Sequence, residues 1–192
     1  MTLLRRARIL LGLTLLALVT PLGSAVAAGP VITVDDFAFT PGHVRVAQGG
    51  TVTWRFLATH TSTSDQGFWD SGDRGSGTYV VTFRDAGTFG FHCAIHPDMT
   101  GAVAVPLRAT GGPAVGYRVH WTTRTSTPAS RRYDVQYRRA GTTRWLWFRQ
   151  GSATRVGRFD PARAGGYVLR ARTRNVGVGV SGWSPTLSLR IS

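Results

Sequence analysis

Three side chains that carry metal-binding atoms lie close together near the middle of the chain. Cys93, the only cysteine among 192 residues, is followed by His96 and Met99 at three-residue steps. A thiolate, an imidazole and a thioether on one short loop favour copper, while zinc is a weaker candidate because a thioether binds it poorly. Taken singly, the three residues are also typical of a buried small hydrophobe, a surface histidine and a core methionine. Their joint spacing predicts a metal site, for which His60 is the candidate fourth ligand.

The elements that must position these residues are predicted to be short β-strands. From Val31 onward, apolar residues recur with a period of two between Gly, Pro, Asp and Thr, and no segment shows a helical period. The predicted strands are residues 31–34, 37–39, 44–46, 51–56, 79–83, 87–91 and 101–105. This pattern predicts a sandwich or barrel of about seven or eight strands. His60 follows one strand end and Cys93 closes another, so we expect the candidate ligands to meet at one end of the sheets.

Residues 28–105 resemble a small cupredoxin of the plastocyanin and amicyanin type. The segments that carry the resemblance are Phe-Thr-Pro at 39–41, Gly-Thr-Val-Thr-Trp at 50–54, His-Thr at 60–61, Phe-Trp-Asp-Ser-Gly at 68–72 and Ala-Gly-Thr-Phe-Gly-Phe-His-Cys-Ala-Ile-His-Pro-Asp-Met-Thr-Gly at 86–101. The Cys-x2-His-x2-Met spacing is similar to the short ligand loop of amicyanins. The resemblance implies a Greek-key sandwich with one type 1 copper ion, held by His60, Cys93 and His96 as equatorial ligands and by Met99 as the axial ligand.

The chain departs from this family in two respects, at Phe56 and in the short segment between Trp54 and His60, and it carries further histidines. Phe56 stands where the family often has an asparagine, so we expect a side-chain hydrogen bond near the thiolate to be missing. His92 precedes Cys93 on the same strand and is expected to point to the opposite face. His43 follows a Pro-Gly turn and is expected to face solvent.

A second β unit is predicted after a linker at residues 106–113. Alternation resumes at 117–121 and recurs at 133–138, 145–148, 167–172 and 187–191, which favours an antiparallel sandwich. Residues 114–192 resemble a fibronectin type III domain. The matching features are Trp121, Tyr133-x-Val135-x-Tyr137, the alternation Tyr-x-Leu-x-Ala-x-Thr-x-Asn at 167–175 and Ser-Gly-Trp-Ser-Pro at 181–185.

The net charge of +14 is concentrated in this second unit. Residues 28–112 carry five arginines against seven acids, whereas residues 113–192 carry fifteen arginines against two. Arg170, Arg172 and Arg174 share one face of a predicted strand, and Trp145, Trp147 and Trp183 are expected to stack on them in a cation–π ladder. Such a ladder resembles the Trp–Arg arrangement of cytokine-receptor domains and would be structural. The alternative is that the arginines bind an anionic cell-surface polymer, such as a phosphate-rich wall polymer, or acidic lipid headgroups.

The first 27 residues have the pattern of a cleaved signal peptide. Three arginines precede an apolar run at 9–19, and Ala-Val-Ala at 25–27 is typical of a cleavage site. We therefore expect an exported bacterial protein, secreted or held at the cell surface or in the periplasm, with no transmembrane span once processed. Nucleic acid fits such a protein poorly as a partner. A lone thiol outside the cell is open to oxidation unless a metal occupies it.

The predicted ligand set indicates one-electron transfer rather than catalysis. Multicopper oxidases need several His-x-His pairs, and the five histidines here form none. Two alternatives use the same chain differently: copper buffering or delivery through the same ligands, or surface binding by the basic unit with the cupredoxin as a scaffold. No particular redox partner protein is predicted.

Overall fold

The computed structural model describes residues 29–192, so the predicted signal peptide at 1–27 lies outside the described residues. The described chain contains sixteen strands and no helix, which confirms the prediction of an all-β fold. Within residues 29–192 there is accordingly no helix of the length and apolar character needed to cross a membrane.

Eight strands form the first unit. They are β1 (Val31–Asp35), β2 (Ala38–Thr40), β3 (His43–Arg45), β4 (Gly50–Phe56), β5 (Thr63–Ser64), β6 (Gly77–Phe83), β7 (Gly87–His92) and β8 (Thr100–Val105). They make two four-stranded sheets, in the orders β2-β1-β4-β6 and β3-β8-β7-β5. Strands β4 and β7, which lead to His60 and Cys93, therefore belong to different sheets.

The alternating residues of the two sheets meet in one apolar core. Val52, Trp54 and Phe56 are the inward residues of β4, and none is more than 1% exposed. The Trp54 ring lies 5.4 Å from the Phe91 ring of β7 and 5.6 Å from the Trp69 ring. Burial of rings of this size stabilises a small sandwich strongly. The core thus holds β4 against β7 next to the loops that carry His60 and Cys93.

Eight further strands form the second unit. They are β9 (Arg108–Gly112), β10 (Gly116–His120), β11 (Arg131–Arg139), β12 (Leu146–Ser152), β13 (Val156–Phe159), β14 (Gly165–Asn175), β15 (Gly179–Val180) and β16 (Leu187–Ile191). One sheet has the order β13-β10-β9; in the other, of order β12-β11-β14-β15, β16 also pairs with β14. Val119, Trp121, Val135 and Leu169 lie between the sheets and are fully buried.

Residues 108–112, within the short linker predicted at 106–113, form a strand. They form β9, which pairs antiparallel with β10. Gly111 and Gly116 allow this hairpin because both have positive φ, 106° and 74°. The apolar alternation of β9 is weak, since among its residues Ala109 alone packs on the core. The non-strand segment between β8 and β9 is therefore only residues 106–107.

A buried carboxylate joins the two units. Asp85, in the turn before β7, is 5% exposed and accepts hydrogen bonds from Thr122 Oγ1 at 2.6 Å and Tyr133 Oη at 3.0 Å. Arg124 Nε donates to both of its oxygens at 2.9 Å. Every donor comes from the second unit, so the carboxylate anchors the first unit to the second.

The second unit also covers the open edge of β7. Thr88 and Gly182 form a β-bridge with N···O distances of 2.9 and 2.8 Å. Asn175 Nδ2 donates to the carbonyls of Gln66 and Gly67 at 3.0 and 2.9 Å. Backbone groups at the edge of the ligand-bearing sheet are thereby satisfied within the chain.

The hydrogen bond between Tyr133 and Asp85 makes the stability of the fold depend on pH in the alkaline range. Burial, and then the nearby Asp85 charge, raises the pKa of Tyr133 to about 12 from 10.0. The raised pKa means that the neutral phenol stabilises the folded state fully below pH 10, and this contribution is lost as the pH rises toward 12. We expect the free energy of unfolding of the wild type to fall about 2 kcal/mol more than that of Tyr133→Phe between pH 10 and pH 12. Urea unfolding at a series of pH values measures this difference, and parallel curves for the two proteins would contradict it.

Candidate metal centre

The structure brings His60, Cys93 and His96 together at one end of the first unit. His60 lies after β4, where its backbone exchanges two hydrogen bonds with Arg74 at 3.1 and 2.9 Å, and it is 3% exposed. Cys93 directly follows β7 and is fully buried. His96 lies in the loop between β7 and β8 and is half-buried. Among the residues that the structure describes, these three form the one cluster of His, Cys and acidic groups with metal-site spacing.

The donor atoms of the cluster face one another. His60 Nδ1 and His96 Nδ1 are 3.1 Å apart, and Cys93 Sγ is 3.7 Å from each. From these distances, the point equidistant from the three atoms lies about 2.0 Å from each, which matches metal–imidazole bonds and is slightly short of metal–thiolate bonds. The residues present therefore fit a trigonal metal site of two imidazoles and one thiolate, the geometry that blue-copper centres use.

Two consecutive turns shape the loop that carries His96 and Met99. The His96 N–H donates to the Cys93 carbonyl at 3.2 Å, and the Met99 N–H donates to the His96 carbonyl at 3.0 Å. The Cys93 N–H closes the loop on the Met99 carbonyl at 3.0 Å. Met99 is 3% exposed, packs in the core of the first unit and lines the same surface depression as His96. Each turn advances the chain by three residues, so Cys93, His96 and Met99 all lie on the same side of the loop.

Thr61 holds the two ligand-bearing segments together. Its N–H points at Cys93 Sγ at 3.3 Å, and its Oγ1 accepts the Ala94 N–H at 2.7 Å. The same hydroxyl is 2.9 Å from Thr63 Oγ1, which in turn donates to Asp70 at 3.1 Å. Phe56 does not bond to the thiolate and lies in the apolar core, 1% exposed. A side-chain amide is thus missing beside the cysteine, as expected from Phe56, and Cys93 Sγ accepts the backbone N–H of Thr61 instead. This role of Thr61 was not predicted from the sequence.

The environment of His60 favours the neutral imidazole. Burial lowers the pKa of His60, the neighbouring His96 lowers it further, and Asp35 offsets part of the shift. With the two Nδ1 atoms 3.1 Å apart, only one of them can carry a proton between them. A metal ion binds the neutral imidazole. The lowered pKa of His60 therefore means that metal binding releases fewer protons from this residue than from an ordinary histidine.

Phe37 covers the two histidines from the solvent side. Its ring meets the His96 ring edge-on at 4.7 Å and the His60 ring at 5.9 Å, although it is 69% exposed. The prediction of strand at residue 37 is wrong, because Asp36 and Phe37 form the two-residue turn between β1 and β2 with φ of 45° and 57°. A bulky residue rarely adopts this conformation, and such strain is concentrated at functional sites. The pair Asp35-Asp36 was the available turn signal in the sequence.

The remaining first-unit histidines lie outside the cluster. His92 Nδ1 is 2.8 Å from Asp65 Oδ1, away from the donor atoms of Cys93. His43 is exposed on the short edge strand β3. Both orientations agree with the predictions, which rested on strand alternation for His92 and on the preceding Pro-Gly turn for His43.

Comparisons with known proteins find similarity only among solved structures. No protein-family model matches the chain, and no curated protein sequence is significantly similar to it. A structure of an oxidised amicyanin mutant is 27% identical over 40% of this chain and 81% of its own, with a TM-score of 0.37. A Cu(I) form of another amicyanin mutant is 28% identical over 43% of this chain and 86% of its own, with a TM-score of 0.38.

Removing the Thr61 hydroxyl should loosen the metal loop. Thr61→Val keeps the size of the side chain and the N–H that faces Cys93 Sγ, but it leaves the Ala94 N–H without its acceptor. We expect a loss of about 1 kcal/mol in unfolding free energy and about tenfold faster amide exchange at Ala94.

Thr63→Val is the matched control, since it removes only the outer hydrogen bonds of the same chain. Its Ala94 exchange should stay close to that of the wild type. Equal exchange in the two variants would show that the hydroxyl of Thr61 does not hold the loop.

Proposed function

We propose that His60, Cys93, His96 and Met99 hold one copper ion and that the protein transfers single electrons through it. The observation that carries the proposal is the convergence of two imidazole nitrogens and one buried thiolate, 3.1 to 3.7 Å apart. Copper bound to these donors supplies a one-electron couple between Cu(II) and Cu(I). Met99 is proposed as the weak fourth donor because it is the remaining soft side chain of the same loop.

The packing of the site supports electron transfer in particular. His60 and Cys93 follow strands of different sheets, and the aromatic core together with the Thr61 hydrogen bonds fixes their separation. Donors held in this way cannot rearrange to suit each charge state separately. The reorganisation that accompanies electron transfer is therefore kept small.

The exposed side of the site is at His96. His60, Cys93 and Met99 are at most 3% exposed, whereas His96 is half-buried in a depression beside Phe37, Ile95 and Pro97. The His96 ring is thus the member of the set through which an electron reaches the surface most directly. We infer a carrier rather than an enzyme, because four protein donors leave no open position for a substrate.

We also propose that the second unit is a fibronectin type III-like domain of an exported protein. Its three-stranded sheet faces the sheet of β12, β11, β14 and β16, an arrangement that such sandwiches share. Tyr167 Oη donates to the Arg163 carbonyl at 2.6 Å, which supports a tyrosine corner at the start of β14. The export proposal depends on the signal pattern at 1–27.

Copper loading tests the site directly. Added Cu(II) should turn the refolded protein intensely blue through thiolate-to-copper charge transfer, and Cys93→Ser should abolish the colour. His96→Asn should lose the colour as well, while His92→Asn, whose ring contacts Asp65 outside the cluster, should keep it. Folded wild-type protein that binds no copper or stays colourless would refute the proposal.

The role of Met99 requires a separate variant. Met99→Leu should keep the blue colour and raise the reduction potential, because loss of a weak donor destabilises Cu(II) more than Cu(I). Voltammetry on the wild type and the variant measures the shift. An unchanged potential would exclude Met99 as a ligand, and slow self-exchange in the wild type would favour copper buffering over electron transfer.

A further inference from the structure

The outer face of the larger sheet in the second unit carries an excess of positive charge. Along β11 and β14, the residues that alternate with the buried Tyr133, Val135, Leu169 and Ala171 point outward. Together with one residue of β16, they form what we term the arginine face: Arg132, Arg138, Arg170, Arg172, Arg174 and Arg190. Asp134 is the single acidic residue in these three strands.

The middle of the arginine face is a stack of guanidiniums and indoles. The Trp145 ring has Arg170 at 4.0 Å and Arg138 at 5.1 Å from its centroid. The Trp183 ring has Arg170 at 4.3 Å and Arg172 at 4.6 Å. The predicted cation–π ladder is therefore confirmed for these two rings.

The ladder differs from the prediction at its two outer members. Trp147 packs against the Trp183 ring at 6.3 Å instead of lying on a guanidinium. Arg174 bonds to Asp134 at 2.6 Å. The ladder is thus shorter than expected, because neither Trp147 nor Arg174 belongs to it.

The positive charge of the arginine face is largely unbalanced. Asp134 is fully buried and accepts Arg172 Nε at 2.8 Å and Arg174 Nη2 at 2.6 Å, so the one carboxylate serves two arginines. Arg170 donates to the neutral amide of Gln136. Arg132 lies directly across from Arg174 in the β11–β14 pairing, and like charges in that position repel.

The spacing of the arginines is regular along the strand. Arg170, Arg172 and Arg174 alternate on β14, so their Cα atoms are about 6.6–6.8 Å apart. Each ladder indole already has two guanidiniums over it, which leaves little aromatic surface for stacking bases or sugars. A row of guanidinium edges at this interval suits charges that repeat along an extended chain, and guanidinium binds phosphate in a bidentate manner.

We propose that the arginine face binds a linear phosphate-bearing polymer, with the polymer chain running along β14. The ladder holds the guanidiniums in place, and the phosphates supply the negative charge that the chain itself lacks on this face. A bilayer surface is a poorer match, because insertion into a bilayer needs several exposed apolar side chains. Among the described residues of this face, Trp147 is the one large aromatic side chain that is strongly exposed, at 45%. The proposal concerns the second unit and is independent of the copper site.

The test measures binding of the full chain to fluorescently labelled inorganic polyphosphate over a range of salt concentrations. The double variant Arg132→Gln/Arg138→Gln removes two guanidiniums whose hydrogen bonds go to backbone carbonyls, and it leaves the Asp134 pairs intact. It also removes the outer cation–π contact of Trp145, while Arg170 stays on that ring at 4.0 Å. If each contacts one phosphate, the slope of log K against log salt should become shallower by about 1.4, and affinity at low salt should fall about tenfold or more.

A matched control separates this face from general basicity. Arg108→Gln/Arg118→Gln makes the same charge change on the exposed face of the other sheet, at β9 and β10. Its slope and affinity should stay within about twofold of the wild type. Equal losses in the two double variants would overturn the proposal, since binding would then depend on net charge alone.

Two further comparisons complete the test. Arg132→Lys/Arg138→Lys keeps the charge and should recover most of the salt slope, which a purely structural role for these arginines would not produce. Vesicles with acidic phospholipids, or a single-stranded oligonucleotide, should bind more weakly per phosphate than polyphosphate does. Tighter binding to either one, or no binding to polyphosphate by the folded wild type, would overturn the proposal.

Discussion

The hydrogen bonds of Thr61 are the constraint on which the candidate metal centre depends. His60 and Cys93 are 33 positions apart, and they follow strands of two different sheets. Sheet packing alone would allow the two loop ends to move apart. The Thr61 N–H facing Cys93 Sγ and the Thr61 hydroxyl bonded to the Ala94 N–H join the loops at the metal-binding atoms themselves. The site is therefore rigid because of contacts beside the donors as well as the core beneath them.

The second unit extends this rigidity along β7. On one edge β7 pairs with β8 over its full length, and on the other edge β5 reaches only Phe91 and His92. The Thr88–Gly182 bridge satisfies the open part of that edge. Thr173 Oγ1 also donates to the Ala86 carbonyl at 2.8 Å, just before β7 begins. The strand that carries Cys93 is thus bonded at both edges, and the basic unit is part of what fixes the cysteine.

The sequence allowed the Cys93 loop to be predicted because its information is local, whereas His60 was identified from its position after a predicted strand. Cys93 and His96 lie three residues apart on one loop, and strand alternation correctly excluded His92. The role of Thr61 could not be predicted, since it depends on a contact between segments that follow different sheets, which no local pattern encodes. The strand β9 was missed for a related reason. Its pairing with β10 supplies the order that its weak apolar alternation does not indicate.

The arginine face shows how a basic surface can be rigid without being neutralised. Burial lowers the pKa of Arg170, and the charges of Arg172 and Arg138 lower it further, so the cations there repel one another. Stacking on indoles offsets this cost, because each cation–π contact contributes about 0.5–2 kcal/mol without adding negative charge. An array built from ion pairs would be equally ordered but would have no external field. Indoles in place of carboxylates keep the positive potential available to a partner, while the first unit, with five arginines against seven acids at residues 28–112, stays nearly neutral.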